Sequence, residues 1–184
     1  MLFWLLLANV FWTAMIIEPV FGSPGLTLKW TRFVGESART DIMPLAADLN
    51  GDGKLEIVVT GGNLDWSGRG GVVTALDGAT GSIIWQRVFD GITPHCPFDI
   101  ADLNKDGLPE IIVPDFLGPL ALYGNNGNLY WWNRNVPCQC LYSAVCDIDG
   151  DGYPEVFVNS GKGPSQGYDY ITSLSHDGQI LHQA

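Results

Sequence analysis

A nine-residue acidic loop occurs three times in this chain, and each copy runs directly into an apolar segment. The copies are Asp48-Leu-Asn50-Gly-Asp52-Gly-Lys54-Leu-Glu56, Asp102-Leu-Asn104-Lys-Asp106-Gly-Leu108-Pro-Glu110 and Asp147-Ile-Asp149-Gly-Asp151-Gly-Tyr153-Pro-Glu155. Ile57-Val-Val59, Ile111-Ile-Val113 and Val156-Phe-Val158 follow them. The loop starts lie 54 and 45 residues apart. A recurrence on that scale is the mark of one supersecondary unit repeated along the chain.

The residue types in the loop point to a hard cation. Positions 1, 3 and 5 offer side-chain oxygens: Asp48, Asn50 and Asp52, then Asp102, Asn104 and Asp106, then Asp147, Asp149 and Asp151. Position 7 offers a backbone carbonyl from Lys54, Leu108 or Tyr153, and position 9 a carboxylate from Glu56, Glu110 or Glu155. A glycine at position 6 permits the sharp reversal. An all-oxygen set without Cys or His suits calcium or magnesium, and a flexible loop of about six oxygens favours calcium. Two carboxylates about 4 Å apart repel by roughly 4 kcal/mol at an effective dielectric near 20, so a loop of three or four carboxylates calls for a counter-ion. Up to three Ca²⁺ are expected. An EF-hand is excluded, because position 12 is Val59, Val113 or Val158 rather than the Glu that motif requires.

Between the loops the chain reads as short strands. In the first unit, segments 42–48, 56–60, 71–76 and 82–88 alternate with turns such as Asp77-Gly78. The second unit runs 98–102, 110–114, 120–123 and 129–133, and the third 142–147, 155–159, 170–174 and 179–182. Four strands joined by Gly, Asn and Asp turns form an antiparallel meander. The expected fold is all-β: a β-propeller of four-stranded antiparallel blades, partial, with three blades over residues 41–92, 93–136 and 137–184. Residues 23–40 are expected to hold a leading strand, 26–33, which places Trp30 where Trp85 and Trp131 lie in the later units. A closed propeller has four to eight blades, so the chain reads as part of a longer one.

Residues 1–17 are apolar and uncharged, and Val20-Phe21-Gly22 offers small residues ahead of a cleavage point at Ser23. Residues 1–22 are therefore expected to be a signal peptide or, uncleaved, a membrane anchor. Export agrees with an even cysteine count: Cys96, Cys138, Cys140 and Cys146, with Cys96 expected to pair with one of the other three. There is no Asn-x-Ser/Thr sequon. The formal charge is −11, with ten of the 20 acidic residues inside the loops, so three divalent ions would roughly halve it. No Lys/Arg cluster is present, which argues against a nucleic-acid partner.

At the loops the sequence resembles the FG-GAP repeats of the integrin α-subunit propeller family, whose pattern is Asp-x-Asp/Asn-x-Asp-Gly-x-x-Asp before a hydrophobic strand. It departs at position 9, where Glu56, Glu110 and Glu155 stand for the commoner Asp. Ala75-Leu-Asp77-Gly-Ala-Thr-Gly81-Ser-Ile-Ile-Trp85 resembles the tryptophan-docking motif of quinoprotein-type propellers, with Trp85 a stacking element beside Ala75 and Gly81, Trp131 its equivalent and His182 a departure in the third unit. Both signatures together are similar to type II membrane proteins that carry FG-GAP repeats. The resemblance implies structural calcium, on the face away from the partner-binding face of such propellers.

The function expected is a secreted or membrane-attached module, on the extracellular or lumenal side, that binds a protein or a glycan. Any membrane contact would come through the uncleaved N-terminal segment or a further C-terminal part. The alternative is a propeller enzyme, a polysaccharide lyase or quinoprotein dehydrogenase. Its candidate groups, His95, His176 and His182, sit in no recognisable constellation, so no catalytic residue is expected. Among Tyr130, Trp131 and Trp132, strand alternation makes Trp132 the candidate for stacking on a sugar.

Overall fold

In a computed structural model, residues 27–34, 42–61, 71–90, 92, 97–136, 138–161 and 169–183 are described. The chain divides into Met1–Thr31 and Arg32–Ala184. Of the first unit, residues 27–31 are described and form no regular element. The expected signal or anchor segment, residues 1–22, and His95 and Cys96 lie outside the described residues. Among the described residues there is no helix long and apolar enough to cross a membrane.

The second unit holds three four-stranded sheets, each a sequential antiparallel meander. The first sheet comprises β1 (Leu45–Ala47), β2 (Glu56–Gly61), β3 (Gly71–Asp77) and β4 (Ile83–Phe89). The second comprises β5 (Asp99–Ala101), β6 (Glu110–Val113), β7 (Leu120–Tyr123) and β8 (Leu129–Trp132). The third comprises β9 (Cys138–Cys146), β10 (Glu155–Gly161), β11 (Asp169–Leu174) and β12 (Ile180–Gln183). Each acidic loop joins the first strand of a sheet to the second, and its position-9 Glu opens the second strand, pairing Ala47↔Glu56, Ala101↔Glu110 and Cys146↔Glu155. The first strands of neighbouring sheets lie side by side, β1 next to β5 and β5 next to β9. These are the blades of an open, partial propeller.

The core lies between the blades. Val58, Val73, Ala75 and Trp85 of the first blade meet Phe98, Ile111, Val113, Leu120 and Leu122 of the second. On its opposite face, the second blade presents Leu103, Ile112 and Ala121 to Val156, Val158 and Leu174 of the third. Thus β6 is buried on both faces, and its sequence Glu-Ile-Ile-Val shows no polar alternation. Leu49 and Leu103, both at loop position 2, are 1% and 0% exposed. Ile148 at the same position is 67% exposed, since no described sheet follows the third blade.

The leading strand expected at 26–33 is not formed: residues 27–34 carry no strand. A strand exists only as part of a ladder, and Arg32 and Val34, at the start of the second unit, are held instead by side-chain bonds. The Arg32 Nε donates to the Gly81 carbonyl at 2.6 Å, and the Gln86 Nε2 donates to the Val34 carbonyl at 2.8 Å. Strand limits also shift. β1 and β5 are shorter than the apolar runs suggest, and β9 extends back to Cys138, beyond the expected start at Tyr142. Cys146 is exposed with a free thiol.

Candidate metal centre

The three loops fold alike because their side chains replace the ladder bonds a reversing backbone loses. In the first, Asp48 accepts from the amides of Gly51 (2.8 Å), Asp52 (3.2 Å) and Gly53 (2.8 Å). In the second, Asp102 Oδ2 accepts from Gly107 at 2.9 Å, and in the third Asp147 accepts from Gly150 at 2.7 Å. Position 3 accepts from the amide of position 5: Asn50 from Asp52, Asn104 from Asp106, Asp149 from Asp151. Position 5 accepts from the amide of position 7: Asp52 from Lys54, Asp106 from Leu108, Asp151 from Tyr153. Position 6 has φ of 82° at Gly53, 89° at Gly107 and 88° at Gly152, a conformation open to glycine without strain.

The glutamates at position 9 have a role the ligand pattern did not foretell. Glu56, Glu110 and Glu155 are buried, and one oxygen of each accepts the position-2 amide: Leu49 at 2.8 Å, Leu103 at 2.9 Å and Ile148 at 2.9 Å. The longer side chain thereby spans the base of the loop and ties its entry to its exit. The second oxygen of Glu110 accepts from Asn104 Nδ2 at 3.2 Å.

Two observations bear on whether a cation fits. Asp147, Asp149 and Asp151 each bring a carboxylate oxygen within 4.8 Å of the others. In the second loop, Asp102 Oδ1 is buried and has no hydrogen-bond partner. A buried carboxylate oxygen without a donor is costly, and a bound cation removes the cost. The electrostatics agree. Burial pushes the Glu110 carboxyl up to about 7, with the charges of Asp106 and Asp102 adding to it and the Leu103 amide opposing. Asp48 is held below the usual carboxylate range, chiefly by the Gly53 amide. The donor set fits a hard divalent ion.

The tryptophans dock across blades. Trp85 Nε1 donates to the Gly124 carbonyl of the second blade at 2.8 Å, and Trp131 Nε1 donates to the His176 carbonyl of the third at 2.9 Å. A β-carbon on Gly127 would lie 2.5 Å from the Trp85 ring, and one on Gly178 2.6 Å from Trp131. Each indole lies against the glycine of the next blade's turn. The register shifts beside Ala75 and Ala121, which face Trp85 and Trp131, are repeated at Ser173, which faces His182.

Trp132 is not the open platform expected. Its Nε1 donates to the Gly118 carbonyl at 3.0 Å, its ring meets Phe89 edge-on at 6.0 Å, and the Arg134 guanidinium lies 3.9 Å over it. Alternation does send Trp131 and Trp132 to opposite faces, but the second blade is packed on both. Tyr130 tilts against Tyr123 at 5.1 Å. His176 stacks on Tyr153 at 4.4 Å, and His182 is exposed on β12.

One buried group escaped sequence reasoning. Asp115, in the β6–β7 connection at the end of the blade opposite the acidic loop, is 0% exposed, with Oδ1 accepting from Leu117 at 2.6 Å and Oδ2 unpartnered. Burial raises its carboxyl to about 7. A lone Asp in Val-Pro-Asp-Phe carries no signal of this.

Residues 48–113, covering the first two loops, match the FG-GAP-like repeat family. No curated protein matches the chain. Among solved structures, it is similar to rhamnogalacturonan lyase YesW, with TM-score 0.51 and 18% identity over 76% of this chain and 30% of that one. It is also similar to the V. cholerae biofilm matrix protein Bap1, with TM-score 0.36 and 24% identity over 77% of this chain and 28% of that one. The chain thus spans under a third of either structure.

Proposed function

We propose that this FG-GAP repeat protein is a calcium-stabilised propeller module, secreted or held on the lumenal or extracellular side of a membrane, that binds a protein or glycan and performs no chemistry itself. The observation that carries the calcium reading is the buried, unpartnered Asp102 Oδ1 inside a loop whose neighbouring Glu110 is driven toward protonation. Asp102, Asn104, Asp106 and the Leu108 carbonyl would hold the ion of the second loop, with Glu110 closing it. Asp48, Asn50, Asp52, the Lys54 carbonyl and Glu56 would do so in the first. Asp147, Asp149, Asp151, the Tyr153 carbonyl and Glu155 complete the set in the third.

Bound calcium supplies positive charge that relieves carboxylate repulsion and pins each hairpin. The loops share an end of the blades with the tryptophan-docking turns, since Gly78 and Gly124 donate to the carbonyls of Leu55 and Pro109. Ions there would brace the inter-blade contacts, which supports a structural role. Saturation at 100 times Kd stabilises the native state by about 2.7 kcal/mol per site.

The test is calcium titration calorimetry together with thermal melting with and without chelator, on the wild-type chain and Asp102→Ala. Chelation is expected to lower the melting temperature, and Asp102→Ala to remove one binding step. No bound calcium and no shift in melting would end the reading. Glycan and protein binding screens address the partner, and cleavage of a polysaccharide by the purified chain would overturn the non-enzymatic assignment.

A further inference from the structure

Neighbouring acidic loops meet in a fixed register, and the residue that makes the contact differs between the two junctions. At the first, Gly51 at loop position 4 faces Leu108 at position 7 of the next loop, and a β-carbon on Gly51 would lie 3.1 Å from the leucine. At the second, Lys105 at position 4 faces Tyr153 at position 7 of the third loop, its Nζ lying 4.2 Å from the ring centroid. The ammonium also stands against Gly152 at position 6, where an added β-carbon would come 2.2 Å from Nζ.

The backbone is chosen against type. Lys105 has φ of 61°, the one positive value for a non-glycine residue among those described. Gly51 and Gly150 fill the same loop position at 76° and 81°. A left-handed lysine is strained where glycine would not be. Its side chain crosses the blade boundary and rests on an aromatic ring that is itself stacked on His176.

We infer that Lys105 is an affinity-determining residue of the third loop, a tethered positive charge, supplied by the preceding blade, that offsets part of the field of Asp147, Asp149, Asp151 and Glu155. The third loop carries four carboxylates where the others carry three. With Lys54 and Lys105 counted, the first two loops carry a net charge of −2 each and the third −4. The lysine brings the third loop's field part of the way back toward theirs, narrowing the spread of calcium concentrations over which the sites fill. The ammonium sits over the Tyr153 ring, so it tunes the ion's energy without taking its place. This inference rests on the calcium reading above. Coulomb repulsion between a unit charge and a divalent ion across the width of one loop, in a water-like dielectric, corresponds to about five- to tenfold in affinity.

The experiment is calcium calorimetry at low and high salt on the wild type, Lys105→Met, Lys105→Arg and Asp151→Asn, the last identifying which step belongs to the third loop. Lys105→Met keeps most of the stem over Tyr153 and removes the charge. It is expected to tighten the third-loop step by about five- to tenfold at low salt and less at high salt, while Lys105→Arg stays near wild type. An unchanged or weakened third-loop step in Lys105→Met overturns the inference and leaves the calcium reading standing. A wild type that binds no calcium overturns both. Circular dichroism of each variant excludes unfolding as the cause.

Discussion

At the scale of single residues, the two carboxyls raised to about 7 have different consequences. Asp115 is buried and short of one donor, so its folded value lies above its unfolded value near 3.8. Between those two values the native state holds a proton the unfolded chain has released, and stability falls as pH rises through that window. Above pH 7 the loss is complete. Asp115→Asn should flatten this part of the stability profile and raise stability at pH 8 by on the order of 2 kcal/mol, measured by urea unfolding in calcium-free buffer from pH 4 to 8. Glu110 shares the direction of shift but stands among groups that a cation would neutralise. Calcium binding there should release a proton near neutral pH, so the calorimetric heat should depend on the ionisation enthalpy of the buffer. The acidic loops, unlike Asp115, are legible in sequence, because ligand spacing is local; the burial of Asp115 depends on residues distant in the chain.

At the scale of elements, the docking turns carry the prediction. Trp131 combines a half-buried ring with a 2.9 Å hydrogen bond to the His176 carbonyl and close approach to Gly178. Trp131→Phe should cost about 1 kcal/mol for the lost bond, and Trp131→Ala about 2–3 kcal/mol, because the ring is only half-buried. Gly178→Ala meets two obstacles, a φ of 83° and the indole face, and should lower the melting temperature more than Gly150→Ala, whose β-carbon meets nothing within 4 Å. Differential scanning calorimetry separates the two. The Trp-and-turn pattern was readable at Trp85 and Trp131. The leading segment at 27–34 was not, because an apolar alternation with Trp30 in it looks the same whether or not a ladder neighbour is present. Alternation does place Trp132 on the face opposite Trp131, but that face is half-covered, by Phe89, Arg134 and the Gly118 carbonyl.

At the scale of the whole molecule, cohesion comes from the seams between blades. Leu103 and Ile148 occupy the same loop position, one buried in a seam and the other 67% exposed. Leu103→Asp should abolish cooperative unfolding, whereas Ile148→Asp should change stability by no more than about 0.5 kcal/mol, as urea melts would read. Equal effects would mean that the third blade's outer face is covered in solution. By itself, the sequence determined the repeat, the four-strand unit and the oxygen-rich turn, all of which depend on residues within a few positions of one another. Tertiary structure alone decided which copy of each repeated position is buried, that the position-9 glutamates turn inward to the loop base, and that Lys105 reaches the neighbouring loop. The glutamate contact spans only seven residues but needs the closed loop to form it. The burial differences and the Lys105 contact, by contrast, depend on what lies across a blade boundary, 45 or more residues away in the chain, and local pattern holds no record of that distance.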